Sequence, residues 1–267
     1  NLTALLAPWV VLPAPADITT AFTLATMLFS LCHAAAILRW RNALTFFGLS
    51  TVISWSFEEI GVRTGMIYGA YHYTELLGPK LGNVPLLIPL AWFMMIYPSY
   101  IIANLIIDGD IRPTQWTIRR MLWRALAAGM VMTAWDLVID PGMSAPGGAW
   151  VWEQGGPYFG VPLQNFAGWL LTTITVYFCY GLWERQSRLQ DAPAVPQWFG
   201  SLPPVVYGMI TFRYIIENEQ GVLGVVALFA MGFPCLMAIW RHFDRDRSRP
   251  SSTSYIDAKT LVQGMHQ

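Results

Sequence analysis

Charge is what this sequence has least of. Only 12% of its 267 residues are Asp, Glu, Lys or Arg, about half the roughly 25% of a soluble domain. The 16 basic and 16 acidic residues cancel, which leaves no basic field for nucleic acid and no charged tail of either sign. Cysteine is scarce too. Cys32, Cys179 and Cys235 lie far apart, each inside an apolar run, so neither a disulfide framework nor a CxxC pair can be drawn and all three read as small core residues. The four His show no HExxH and no carboxylate–His cluster, so no metal site is expected. Gly-rich phosphate loops and an Asp-rich motif of the kind that binds Mg²⁺ and prenyl diphosphates are also missing, and no cofactor is expected. Residues 1–16 have no charged stretch ahead of their apolar run and do not read as a signal peptide.

What is present is apolar and aromatic. Hydrophobic residues make up 55% of the chain and aromatics 14%, with a mean hydropathy of +0.43. That is too ordered a composition for disorder, and it has too little polar surface to cover soluble domains of this length. The expectation is an all-α polytopic membrane helix bundle with about seven transmembrane helices, since about 20 apolar residues cross the hydrocarbon core. Candidate spans cover roughly 18–38, 43–60, 84–107, 121–140, 161–183, 199–217 and 221–240, the second and sixth having the least distinct ends. Residues 1–240 then form one transmembrane domain, and 241–267, with Ser251 and Ser252, a loose polar tail. Neither a repeat nor a long linker divides the chain.

The basic residues give an orientation. Arg39, Arg41, Arg112, Arg119, Arg120, Arg124, Arg185, Arg188, Arg241, Arg245, Arg247, Arg249 and Lys259 fall on one side. Only Arg63, Lys80 and Arg213 fall on the other. This predicts a multi-pass protein of the cell (inner, cytoplasmic) membrane, amino terminus outside and carboxyl terminus cytoplasmic, in contact with membrane lipids. Glu58, Glu59, Asp136, Asp140, Glu153, Glu217, Glu219, His72, Gln164 and Asn165 then crowd the outer helix ends, where a substrate would be met.

Each of these has an ordinary explanation beside a chemical one. Glu58 and Glu59 are adjacent, so on a helix they point about 100° apart; one can face the bundle while the other meets water or Arg63. They serve equally well as interfacial charges ending a span, but an ionisable group partly inside the membrane is a functional candidate. Asp136 and Asp140 are four residues apart and share a face. Asp136 sits nearly a turn inside its span with no Lys or Arg within four residues. Desolvation favours the neutral carboxyl there, the form a general acid needs. A structural hydrogen bond between helices is the alternative, and Asp140–Pro141 also reads as a helix-ending turn. The Gly- and Pro-rich stretch 147–160 carries Trp150, Trp152, Glu153, Tyr158 and Phe159. Any one Trp fits an interfacial belt, yet the density suggests a short hairpin lid whose aromatic faces would stabilise a cation. Tyr68, Tyr71, His72 and Tyr73 form a second aromatic loop. Pro85, Pro89 and Pro98 are expected to kink the third span and make room for a ligand. His33 reads as a packing residue.

These segments resemble the integral-membrane carotenoid biosynthesis protein family, of the carotenoid 1′,2′-hydratase and bisanhydrobacterioruberin hydratase type. The resemblance rests on Phe57-Glu58-Glu59-Ile-Gly61 with Gly65, Tyr68-Gly-Ala-Tyr71-His-Tyr73, Val84-Pro85 through Pro89-Leu-Ala-Trp92, Asp136-Leu-Val-Ile-Asp140-Pro141, Gly148-Ala-Trp150-Val-Trp152 and Tyr158-Phe159-Gly160 through Asn165 to Trp169. It covers about residues 50–240. It implies a hydro-lyase that adds water across the terminal C1=C2 bond of an acyclic carotenoid, lycopene-like or C50, without a cofactor. Such chemistry needs an acid, a cation-stabilising wall and a held water. Asp136 or Glu59 would donate the proton, with Glu58, Asp140 and Glu153 positioning water. Trp55, Tyr71, His72, Trp92, Trp150, Trp152, Tyr158 and Asn165 would contact substrate. Two other functions stay open: a cofactor-free membrane terpene cyclase or isomerase, which would exclude water, and a non-enzymatic carotenoid- or lipid-binding membrane protein. A transporter would place polar groups at mid-membrane in several helices, which this pattern does not.

Overall fold

A computed structural model describes residues 15–113, 115–187, 195–217 and 221–247. Arg188, Glu219, Arg249, Ser251, Ser252, Lys259 and the stretch weighed as a leader up to residue 14 lie outside the described residues. The protein is a polytopic membrane helix bundle. Its long helices are α1 (Pro15–Leu38), α2 (Trp40–Thr64), α3 (Leu87–Asp108), α4 (Ile118–Met143) and α5 (Leu163–Ser187). A single turn, α6 (Gln197–Gly200), precedes α7 (Leu202–Glu217). The last rod joins α8 (Val222–Val226), a π-helical stretch (Ala227–Gly232) and α9 (Phe233–Arg247). Pro234 explains the wide turns: its ring would clash with the carbonyl four residues back, and local widening relieves the clash.

Five of these rods are long and apolar enough to cross a bilayer: those of α1, α3, α4, α5 and Val222–Asp244. The other two expected spans are α2, which carries Glu58, Glu59 and Arg63, and the 16-residue α7. α1 and α2 are separated by Arg39 alone, at φ 68°. α3 lies at the centre, packed on α1, α2, α4, α7 and α9, while α4 and α5 form the most extensive helix pair. Accordingly Phe93, Met95, Ile96, Tyr97, Ile101 and Ile102 of α3 are fully buried.

The structure corrects several expectations. The third span begins at Leu87, because Val84–Pro85 is a short strand, β3, paired with β2 (Lys80–Leu81). Pro85 is thus in a strand and Pro89 in the first helical turn, where no N–H is needed; only Pro98 interrupts the α3 ladder. Its missing N–H frees the Met94 carbonyl, which accepts a hydrogen bond from Ser30 Oγ at 3.0 Å. Pro141 does not end α4, which runs on to Met143. The carbonyl it frees, that of Leu137, accepts from the Tyr158 hydroxyl at 3.0 Å. α9 continues to Arg247, so the expected tail starts as helix. Of the cysteines only Cys235 is buried; Cys32 is exposed and Cys179 half-buried.

A candidate active site under a two-stranded aromatic sheet

Alternation on two three-residue strands organises the site. β1 (Tyr71–Tyr73) pairs antiparallel with β4 (Trp150–Trp152), matching Tyr71 with Trp152 and Tyr73 with Trp150. The aromatic stretch 150–152 therefore pairs with the other aromatic loop rather than folding back as its own hairpin. Successive strand residues face opposite ways. Tyr71 and Tyr73 point inward with Trp150 and Trp152, while His72 and Val151 point outward.

Each inward pair meets one carboxyl group. The Tyr71 and Tyr73 hydroxyls both donate to Glu58 Oε2, Tyr73 at 2.8 Å, and the Trp92 indole donates to Oε1 at 3.0 Å. The Trp150 and Trp152 indoles donate to Asp140 Oδ1 at 2.7 and 3.0 Å. Burial above all, and then the Glu58 charge, pushes both tyrosine hydroxyls well above the ordinary phenol range, so they remain protonated donors. Asn165, on the first turn of α5, uses its amide nitrogen to bridge Asp136 Oδ2 and Asp140 Oδ2, both at 2.7 Å. Asp136 is fully buried, and its Oδ1 has no hydrogen-bond partner among the described residues.

These groups close one end of a cavity of about 470 Å³. Glu58, Asp140 and Asn165 reach it, as do Tyr71, Trp92, Trp150 and Trp152. Its wall also includes Tyr68 and Tyr73, which the sequence placed in an aromatic loop without a substrate role, and Trp135 and Trp169, which received no role there. Trp169 stacks on Trp92 at 4.1 Å and meets Trp135 edge-on at 5.8 Å. Tyr68 is wedged between two helices: a Cβ at Gly61 or at Gly168 would lie 2.6 or 2.5 Å from its ring. Its hydroxyl meets Thr172 Oγ1 at 2.7 Å. Two signals pointed to this wall. Tyr73 repeats the spacing of Trp150 and Trp152, and Trp169 lies one helical turn beyond Asn165.

Other candidates are placed elsewhere. Asp136 sits a turn deeper than Asp140 and does not line the cavity. Glu59 turns away: it accepts from Arg63 Nε at 2.6 Å, and from the Asn83 side chain and backbone N–H at 3.0 and 2.8 Å. It thereby pins the β2–β3 turn, where Gly82 has φ +66° and a Cβ would come within 2.7 Å of the Glu59 carboxylate. Glu153 pairs with His72 at 2.5 Å on the exposed outer side of the sheet. The Trp55 indole donates to the Leu81 carbonyl, and Tyr158 to Leu137 as above. His33, at the far end, joins the Tyr97 hydroxyl and the Phe199 carbonyl.

The model of the carotenoid biosynthesis protein family matches residues 18–236. The chain belongs to that family. The matched range takes in both strands, Glu58, Asp136, Asp140 and Asn165. Among curated relatives, bisanhydrobacterioruberin hydratase of Haloarcula japonica is 37% identical over 148 residues, 54% of this chain. The matched stretch spans 47%, about half, of that relative's length. No solved structure matches the chain significantly.

Proposed function

We propose that this member of the carotenoid biosynthesis family is a carotenoid hydratase, adding water across the terminal C1=C2 bond of an acyclic carotenoid, lycopene-like or C50. The observation that carries the reading is that two carboxyl groups, each held by a pair of aromatic donors from one small sheet, reach the same aromatic-walled cavity. Alkene hydration needs one group to give a proton and another to take one. In the proposed step Asp140 protonates C2, the π bond breaks, and the positive charge settles on the tertiary C1. Trp92, Trp135 and Trp169 present ring faces to that cation. Water adds to C1 as Glu58 takes its proton, leaving a tertiary alcohol, and the proton returns to Asp140 through solvent. Asp140 receives the donor role because it reaches the cavity while Asp136, on the same helix face, does not, and two neighbouring carboxyl groups without a cation beside them favour sharing one proton. Tyr71 and Tyr73 orient Glu58 for the water. The membrane is proposed to be the cell membrane, with the cavity end outward.

The test is expression in a bacterium that accumulates lycopene or a C50 acyclic carotenoid, with pigments read by mass. Hydration adds about 18 Da per end group and cyclisation adds nothing, so mass separates the two chemistries. Asp140→Asn and Glu58→Gln should each cut turnover by at least about a hundredfold, in line with the loss of a general acid or base. Wild-type rates in both variants, with the protein present in the membrane, would end the assignment. A product without added mass would end the hydratase reading itself.

A further inference from the structure

The cavity and its proposed substrate differ greatly in size. About 470 Å³ suits a molecule of drug-like bulk, whereas an acyclic carotenoid is a rod about as long as the hydrocarbon core is thick, about 30 Å. One end group fits; the remaining chain must leave the bundle somewhere. Most of the wall is buried, and exposed lining residues occur in two places. Gly142 and Ala145 lie at the loop end beside Asp140. Ile18 (50% exposed) and Phe22 (37%) of α1 face Arg213 and Glu217 of α7 on the flank of the bundle.

The flank opening follows from the packing. α1 packs on α2 and α3, and α7 on α3 and the last rod. Between α1 and α7 the gap is crossed by side chains: the Arg213 guanidinium sits over the Phe22 ring, 5.7 Å from its centre, and pairs with Glu217 at 2.6 Å. Ile18, Thr19, Phe22 and Thr23 make one stripe along α1, and all four line the same cavity as Glu58 and Asp140. That continuity, rather than exposure to lipid, distinguishes the stripe from an ordinary membrane-facing surface. We propose that the gap between α1 and α7 is the subsite for the long apolar polyene chain of the substrate, held by the α1 stripe and Tyr214. The Arg213–Glu217 pair lies over the chain at its mouth, and the separate loop-end opening at Gly142 and Ala145 serves water. The proposal rests on the hydratase reading for the identity of the chain, but not for the existence of the subsite.

The test uses the full-length protein in detergent with two hydrocarbons carrying the same terminal group, lycopene and an acyclic C15 isoprenoid. Ile18→Trp adds bulk at the mouth without touching the carboxyl groups. Thr19→Trp, one position along the stripe, serves if the first variant accumulates poorly. Each should lower the ratio of kcat/KM for lycopene to that for the C15 compound at least tenfold. Each should also reduce several-fold the lycopene absorbance that stays with the purified protein, while Leu28→Trp, at an exposed position of α1 outside the cavity lining, keeps the wild-type ratio. An unchanged ratio together with wild-type pigment retention overturns the subsite. So does an equal loss on both hydrocarbons, which would place the effect on the fold or the chemistry. If the wild-type protein hydrates neither compound, the hydratase reading fails, and pigment retention still decides the subsite.

Discussion

Glu58 and Glu59 are adjacent in sequence and have been given opposite work by about 100° of helical rotation. Glu58, 4% exposed, gathers three donors from the sheet and α3, while Glu59 spends its oxygens on Arg63 and Asn83. The contrast is measurable. Glu59→Gln removes a charged partner from three donor groups on two residues and should cost about 1–3 kcal/mol of stability, seen as a lowered unfolding midpoint in detergent. Its kcat/KM should fall by no more than about tenfold, against the hundredfold or more expected for Glu58→Gln. Equal losses of turnover in the two variants, both folded, would return Glu59 to the chemistry. The sequence could show that one of the pair faces inward but not which one. α2 has polar residues at buried positions (Asn42, Ser50, Ser54) and at half-buried ones (Thr45, Thr51, Ser56), so polarity does not set its phase, and only the position of Asn83 and the two tyrosines decides it.

At the level of elements, two prolines carry a shared logic. Each removes an N–H and leaves a carbonyl one turn back without its helical partner, and in each case a side chain from another element supplies the donor: Ser30 for Met94, Tyr158 for Leu137. The second case fastens the 158 loop to α4 directly beneath Asp136 and Asp140. It makes Tyr158 a structural tie rather than a contact for substrate, and a double-mutant cycle can show this. Tyr158→Phe should cost about 1 kcal/mol in the wild-type background. In Pro141→Ala, where the restored N–H can itself bond the Leu137 carbonyl, the same change should cost close to nothing. Equal costs in both backgrounds would mean that the hydroxyl acts elsewhere. Six of the seven helical rods were legible to within four residues at each end, while the last runs seven past its expected end; five of the seven are long apolar runs, which have few other uses. The β1–β4 pairing was not. Three-residue strands carry too little periodicity to register, and strands some 80 residues apart in sequence have no turn to set their register. The repeated aromatic-x-aromatic spacing was visible, but it pointed to two loops and not to one sheet.

For the molecule as a whole, the two ends of the bundle differ in what they do with charge. At one end Arg124 pairs with Asp108 at 2.8 Å, and Arg120 lies 3.6 Å from the same carboxylate and donates to the Ile107 carbonyl. These are anchoring contacts between helix ends; Arg112 lies in the connection between them and Arg119 at the start of α4. At the other end the acidic groups outnumber the basic ones, and Glu58, Asp136 and Asp140 are buried against aromatic rings. Short loops rich in Arg stay in the cytoplasm during insertion, so the sheet-covered cavity should face away from it. Sparse charge is then part of the design of the site, because a Lys or Arg beside Asp140 would compete with substrate for the carboxyl group and hold it ionised. Labelling with a membrane-impermeant thiol reagent tests the orientation. Glu75→Cys replaces an exposed side chain in the loop ahead of β2, and Arg119→Cys an exposed one at the start of α4. In intact cells the first should label and the second should label only after the membrane is opened. The reverse pattern would place the carboxyl groups on the cytoplasmic side, and water and protons for the reaction would then come from the cytosol.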